Sequence, residues 1–128
     1  MLDGISHSMP ALSMALSYQK RAAKTGFEWD DPERFYTKLD EELDEFKNAQ
    51  TPEEIEEELG DILFSVVNLG RKYGTDPESA LRMANLKFYN RLHYIEQKAA
   101  ELGEDLFSMP AEEKLKFWNE HKEQEKQG

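Results

Sequence analysis

Two short acidic runs hold the residue types that could grip a hard cation: EELDE at 41–45 and EELGD at 57–61. Like charges one helical turn apart repel by a few tenths of a kcal/mol per pair. Such acids either face water or share a counter-charge. Successive residues on a helix turn by about 100°. With Leu39 at the centre of an apolar stripe, Glu42 lies roughly 60° to one side and Glu45 roughly 120° to that side. Lys38 falls between them in angle, one turn back. With Leu59 as the centre of the next stripe, Glu58 lies roughly 100° to one side and Asp61 roughly 160° to it. Each segment carries an i, i+3 acidic pair at the margin of its apolar face, where two packed helices meet across a groove. Four carboxylates converging there raise one another's pKa values unless a cation neutralises them. An all-oxygen cage suits Mg²⁺, or Mn²⁺. The plain alternative is a solvated acidic face. Glu53 and Glu54 belong to that class, since they also favour a helix N-terminus.

Basic groups that could face such a cage lie further along. Lys87 and Arg91 are four residues apart beside Phe88, and Asn85 sits on the other flank of that segment. A lysine and an arginine one turn apart can hold two oxygens of a polyphosphate. The alternatives are a solvated basic edge or salt bridges to acidic helices.

The elements that must position these residues are helical. No segment alternates at period two, and prolines mark five helix starts, where the missing N–H has no partner to lose. The spacing predicts helices from Pro10 to Thr25, from after Asp30-Asp31-Pro32 to Ala49, from Thr51 to Gly74, and from Asp76-Pro77 to Gly103. A shorter fifth follows Pro110 and gives way to a polar tail over 120–128. Thr51 and Glu54 form a capping box. Phe35, Leu39, Leu43 and Phe46 make one stripe. Leu81, Ala84, Phe88, Leu92, Ile95 and Ala99 make another. Ile62, Leu63, Phe64, Val66, Val67 and Leu69 surround most of one helix half, which predicts either the centre of a bundle or the seam of a dimer. Short connections make neighbours antiparallel. The fold class is all-α: an antiparallel helical bundle of four main helices plus a short C-terminal one, with residues 1–128 forming a single domain.

Composition narrows the function. The chain has 128 residues and no cysteine, which excludes disulfides, thiolate metal sites and cysteine nucleophiles. Three histidines make a zinc site unusual. Acids outnumber bases 27 to 16, a formal charge of −11, which disfavours nucleic acid and anionic membrane as partners. No long apolar run or basic-then-apolar N-terminus is present, so the expected location is cytoplasmic.

Taken together, EELDE and EELGD resemble the EExxE…ExxD signature of MazG-type nucleoside triphosphate pyrophosphohydrolases. AAKTGFEW (22–29), the run from Glu57 to Arg91 and FWNEHK (117–122) are similar to the catalytic domain found at the C-terminal end of that family. The resemblance implies an all-α dimer that cleaves nucleoside triphosphates between the α- and β-phosphates, releasing a monophosphate and pyrophosphate. It implies Glu42, Glu45, Glu58 and Asp61 as metal ligands, Glu41 either behind those ligands or helping to orient the attacking water, and Lys87 and Arg91 as phosphate binders. Lys38 and Asn85 join the substrate-binding set. Trp118 is the first choice for stacking on the base and Trp29 the second, with core packing as the alternative for both. Tyr94, a turn beyond Arg91, could line the site, whereas His7, His93 and His121 read as surface or structural residues.

Two departures stand out. Asn90 occupies a position where relatives often carry arginine. Relatives also carry two such domains in tandem, and residues 2–12 resemble the linker before the second, which leaves open an isolated half or a single-domain form. Competing readings are a more selective member of the superfamily (a dUTP or dCTP pyrophosphatase, or a phosphoribosyl-ATP pyrophosphohydrolase) and a non-catalytic acidic dimerisation module.

Overall fold

A computed structural model describes residues 2–29 and 31–128. Asp30, part of the expected turn before the second helix, lies outside the described residues. Five helices follow in order: α1 (Ala11–Lys24), α2 (Glu33–Asn48), α3 (Pro52–Lys72), α4 (Pro77–Glu101) and α5 (Ala111–Gln127). No strand occurs among the described residues. The all-α expectation therefore holds, and the boundaries of α1 to α4 fall within a residue or two of the sequence reading.

Local chemistry explains the ends of α3. Thr51 Oγ1 accepts from the Glu54 backbone N–H at 3.1 Å, and Glu54 Oε2 reaches back to the Gln50 N–H at 2.9 Å. One orphan donor of the first turn and one N–H just before the cap are satisfied this way. At the other end Gly74 adopts φ 73°, a left-handed conformation that glycine takes without a Cβ penalty, and the Tyr73 and Gly74 N–H groups close onto Gly70 and Arg71 carbonyls.

The chain divides into two compact units, Met1–Ala80 and Leu81–Gly128. In the first, α2 and α3 run antiparallel. Tyr36 and Tyr73 share a 2.7 Å hydroxyl hydrogen bond, while Glu42 lies against Glu58 and Asp61 further along. Phe35 and Val67 are buried between these helices. Trp29 meets Phe35 edge-on at 5.0 Å, and the cations of Arg71 and Lys72 lie 6.0 and 5.7 Å from the Phe35 ring centre. Helix α1 is tied to α3 by Gln19, whose Nε2 donates to the Phe64 carbonyl at 2.9 Å. The segment read as linker-like is seated rather than loose: Ile5 is buried, and Arg21 Nη1 donates to the Asp3 carbonyl at 3.0 Å.

The second unit packs Ile95, Ala99 and Met109 into a small core, with Leu92, Leu106, Phe117 and Trp118 against it. Here the fifth helix corrects the sequence reading. It is 17 residues long, exceeding the 14 of α1, and the expected polar tail is helical to Gln127. Polar side chains are bound there: Glu125 pairs with Arg91 and Gln124 Nε2 donates to Tyr94 Oη at 3.3 Å.

Helix α3 also differs from one of its two expectations. Only Val67 of its apolar half is buried, and Leu59, Leu63, Phe64 and Val66 stay 41–48% exposed. Within the first unit, α3 is not buried on all sides. On α4 the stripe splits in the same way, with Ile95 and Ala99 buried but Leu81 and Phe88 exposed.

Candidate metal centre

The acidic margins of α2 and α3 face one another. Glu42, Glu58 and Asp61 each bring one carboxylate oxygen to within 4.8 Å of the others, the only such trio among the described residues. Glu42 is 4% exposed, Glu58 half-buried and Asp61 open. Glu45 lies close enough to hydrogen-bond Glu58. Glu41 is exposed on α2, near enough to Lys38 to raise the lysine pKa.

Electrostatics follow from this crowding. Burial first, then the neighbouring Glu45 carboxylate, then Asp61 and Glu42, push the Glu58 carboxyl up to about 7. Lys38 is placed on the cluster: its Nζ sits 2.6 Å from Glu42 Oε1. Its hydrogen bond to Glu42 raises the lysine pKa. The opposite oxygen of Glu42, Oε2, and Glu58 Oε2 are both shut off from solvent and accept no hydrogen bond. Buried polar atoms are normally paired, so two orphaned carboxylate oxygens call for a partner. An all-oxygen donor set with excess negative charge fits a hard divalent cation.

Beside the cluster, the first unit holds a cavity of ≈ 570 Å³, walled by Tyr18, Phe27, Trp29 and Phe64, with Gln19 and Lys38 among its polar groups. Its rim is fastened by Glu28, which accepts from Arg71 Nη2 at 2.9 Å and lies 3.7 Å from Lys72 Nζ. The Arg71 hydrogen bond holds the Glu28 carboxyl below its usual range. Arg71 is itself oriented by Asn68, whose Oδ1 accepts from Nε at 2.9 Å.

The remaining sequence-selected residues belong to the second unit. Asn85 and Lys87 are exposed on α4. Arg91 is engaged: Glu125 accepts from its Nε and Nη2 at 3.3 and 3.0 Å, and the guanidinium lies 5.2 Å over the Trp118 ring. Trp118 also meets Phe88 edge-on at 5.6 Å. One face of this indole is thus taken by Arg91. His121 Nδ1 stands 2.8 Å from Glu125 Oε1, completing an arginine–carboxylate–imidazole group that sequence reading passed over.

The cavity residues were also missed. Gln19 carried a signal: it interrupts an apolar run on α1 at Leu12, Ala15, Leu16, Ala22 and Ala23, where a polar residue is out of pattern.

Comparison with known proteins joins this geometry to a family. The phosphoribosyl-ATP pyrophosphohydrolase profile matches residues 10–87, which contain the whole acidic cluster. The chain belongs to the phosphoribosyl-ATP pyrophosphohydrolase family. Among its relatives in this family, the nucleoside triphosphate pyrophosphohydrolase/pyrophosphatase MazG of Thermotoga maritima is 47% identical over 118 residues, covering 92% of this chain and 46% of that protein. The nucleoside triphosphate pyrophosphohydrolase of Escherichia coli is 38% identical over 129 residues, covering 97% of this chain and 49% of that protein. YabN of Bacillus subtilis, itself uncharacterised, is 46% identical over 80 residues. The chain spans about half the length of the MazG-type relatives it matches. No described helix is long and apolar enough to cross a membrane.

Proposed function

We propose that residues 1–128 work as one catalytic domain that hydrolyses nucleoside triphosphates between the α- and β-phosphates, giving a nucleoside monophosphate and pyrophosphate. The observation that carries this reading is the Glu42–Glu58–Asp61 cluster with its two orphaned buried oxygens, in a chain 38–47% identical to named pyrophosphohydrolases. Glu42, Glu45, Glu58 and Asp61 would hold Mg²⁺, or Mn²⁺. The ion would neutralise phosphoryl oxygens and make a bound water more acidic.

The chain's own residues do the rest. Glu41 orients the water for in-line attack on the α-phosphorus. The bond from that phosphorus to the bridging oxygen breaks, pyrophosphate leaves, and the proton of the water passes to solvent. Lys38, already at Glu42, limits repulsion within the cluster and turns to the substrate's negative charge. Arg91 and Lys87 hold the departing pyrophosphate. Arg91 does so by exchanging Glu125 for phosphate, a stronger bidentate partner.

Pairing of two copies through the exposed apolar half of α3 belongs to the same proposal. So do a cytoplasmic location and the absence of a nucleic-acid partner, which the −11 charge favours. The family description favours a second reading, a phosphoribosyl-ATP pyrophosphohydrolase.

A panel of nucleoside triphosphates and phosphoribosyl-ATP, assayed with and without Mg²⁺ for monophosphate and pyrophosphate, separates the readings. Mg²⁺-dependent turnover of several triphosphates is expected. Turnover of phosphoribosyl-ATP alone would transfer the assignment to the second reading. No turnover of any of them would leave only the non-catalytic module.

A further inference from the structure

Arg91 and Glu125 have a third member beside them that the nucleotide reading leaves without a task. His121 Nδ1 is closed off from water and stands 2.8 Å from Glu125 Oε1. At that distance from a carboxylate oxygen the nitrogen carries its proton, because two lone pairs would otherwise face each other. The same oxygen accepts from Arg91 Nε at 3.3 Å, while Oε2 takes the shorter bond from Arg91 Nη2 at 3.0 Å. Histidine and arginine thus share one acceptor, and the arginine has the longer contact with it.

A histidine changes charge between about pH 5 and 8. Glu125 stays ionised there: the Arg91 hydrogen bond, with the charges of Arg91 and His121 behind it, outweighs burial and holds the carboxyl below its usual range. From α4, Tyr94 faces the imidazole at 5.0 Å, and Lys98 lies 5.4 Å from the Tyr94 ring centre. From α5, Glu120 bears on the same phenol and Gln124 donates to it. Burial, then Glu120, raises the Tyr94 hydroxyl, and Glu101 raises Lys98, so neither changes charge in this window. Within the Arg91–Glu125–His121 group, the imidazole is the member whose charge turns over.

When the imidazole takes its second proton, its bond to Oε1 becomes charge-assisted and draws on the oxygen that Arg91 Nε uses. The carboxylate then serves two cations, and its hold on the guanidinium weakens. An incoming anion meets a weaker competitor and one more positive charge. We propose that His121 is a positioning residue that sets, through Glu125, how readily Arg91 exchanges its carboxylate for phosphate, so that this end of the molecule grips anions more tightly as pH falls. The proposal rests on the reading of Arg91 as a phosphate binder.

Sulfate is the probe of choice, because it remains a dianion from pH 5.5 to 8 while phosphates titrate. In Trp29→Phe, Trp118 is the sole tryptophan and lies 5.2 Å from the Arg91 guanidinium, so its fluorescence reports binding there. In chelator and at constant ionic strength, the sulfate Kd should be roughly three- to fivefold lower at pH 5.5 than at pH 8. His121→Gln should bring that ratio close to one. A Kd independent of pH before the histidine is replaced, or a dependence that survives His121→Gln, would overturn the proposal. Sulfate binding unchanged in Arg91→Gln would also overturn it, while leaving hydrolysis at the acidic cluster an open question for the triphosphate panel.

Two further readouts belong to the same test. Binding and protonation are reciprocal, so saturating sulfate should raise the midpoint of one histidine in ring-proton NMR of the native chain. Three histidine midpoints indifferent to sulfate would reject the coupling without any variant having to fold. In turnover, the KM of His121→Gln relative to the native chain should rise as pH falls, with the kcat ratio constant; protonation of the substrate cancels in both ratios. A pH-dependent kcat ratio with a constant KM ratio would overturn the assignment.

Discussion

The acidic groove of the first unit and the basic end of the second treat charge in opposite ways. Between α2 and α3, three carboxylates converge on one another, Lys38 pairs with Glu42, and two buried oxygens of the cluster have no donor. Between α4 and α5, Arg91 has a carboxylate on two of its nitrogens and an indole beneath it, and that carboxylate is shared with His121. The first region carries a repulsion that burial magnifies. In the second, opposite charges are paired within the chain. A site that must take up a dication is well served by unpaired acids. A site that must bind and release an anion is better served by a resident carboxylate that phosphate can replace.

The sharpest way to break this contrast is to neutralise the groove. Glu58→Gln or Asp61→Asn should lower Mg²⁺-dependent turnover by on the order of 10²–10³-fold, the scale of losing one charge-stabilising group. Circular dichroism should show unchanged helical content, because the substitution removes repulsion rather than packing. Retained activity in both variants would reject these ligands.

A smaller effect is expected at the satisfied end. Glu125→Gln keeps the shape of the side chain but frees Arg91 from a charged competitor. KM should fall by roughly two- to fivefold with kcat little changed, in keeping with the modest strength of exposed pairs. A rise in KM would mean that Glu125 positions Arg91 rather than competes for it.

The smallest effect is on stability. Glu58 is raised to about 7 from an ordinary value of 4.5. Between those values the folded chain holds a proton that the unfolded chain has lost, so stability falls as pH rises through that window. Urea midpoints measured in chelator at pH 5 and pH 7.5 should show the decline, and Glu58→Gln should flatten it. A native chain with no such decline would show that the groove does not hold its carboxylates against repulsion.

The helices and the acidic margins were legible because both depend on spacing along one helix. Proline starts, the Thr51–Glu54 cap and the i, i+3 acids each need only a few neighbouring residues. The convergence of Glu42 with Glu58 and Asp61 followed from assuming that two stripes pack face to face, as they do. What sequence could not supply was partner choice over long separations. Glu125 finds Arg91 across 34 positions, within a segment that read as a polar tail and is helix. Gln19 finds the Phe64 carbonyl across 45, which makes an apparent flaw in an apolar stripe into a buried acceptor. The exposure of Leu63 and Val66 was equally hidden, because a helix apolar all round looks the same whether its cover comes from its own chain or from another.

The clasp of Glu28 by Arg71 and Lys72 has one more consequence. It fastens the α1–α2 connection to the last turn of α3 by charge rather than by buried apolar area. Ions in solution weaken such a fastening far more than they weaken the packing around Phe35. Added salt should therefore loosen the α1–α2 connection well before it disturbs the helices behind it, leaving that corner more sensitive to ionic strength than the fold.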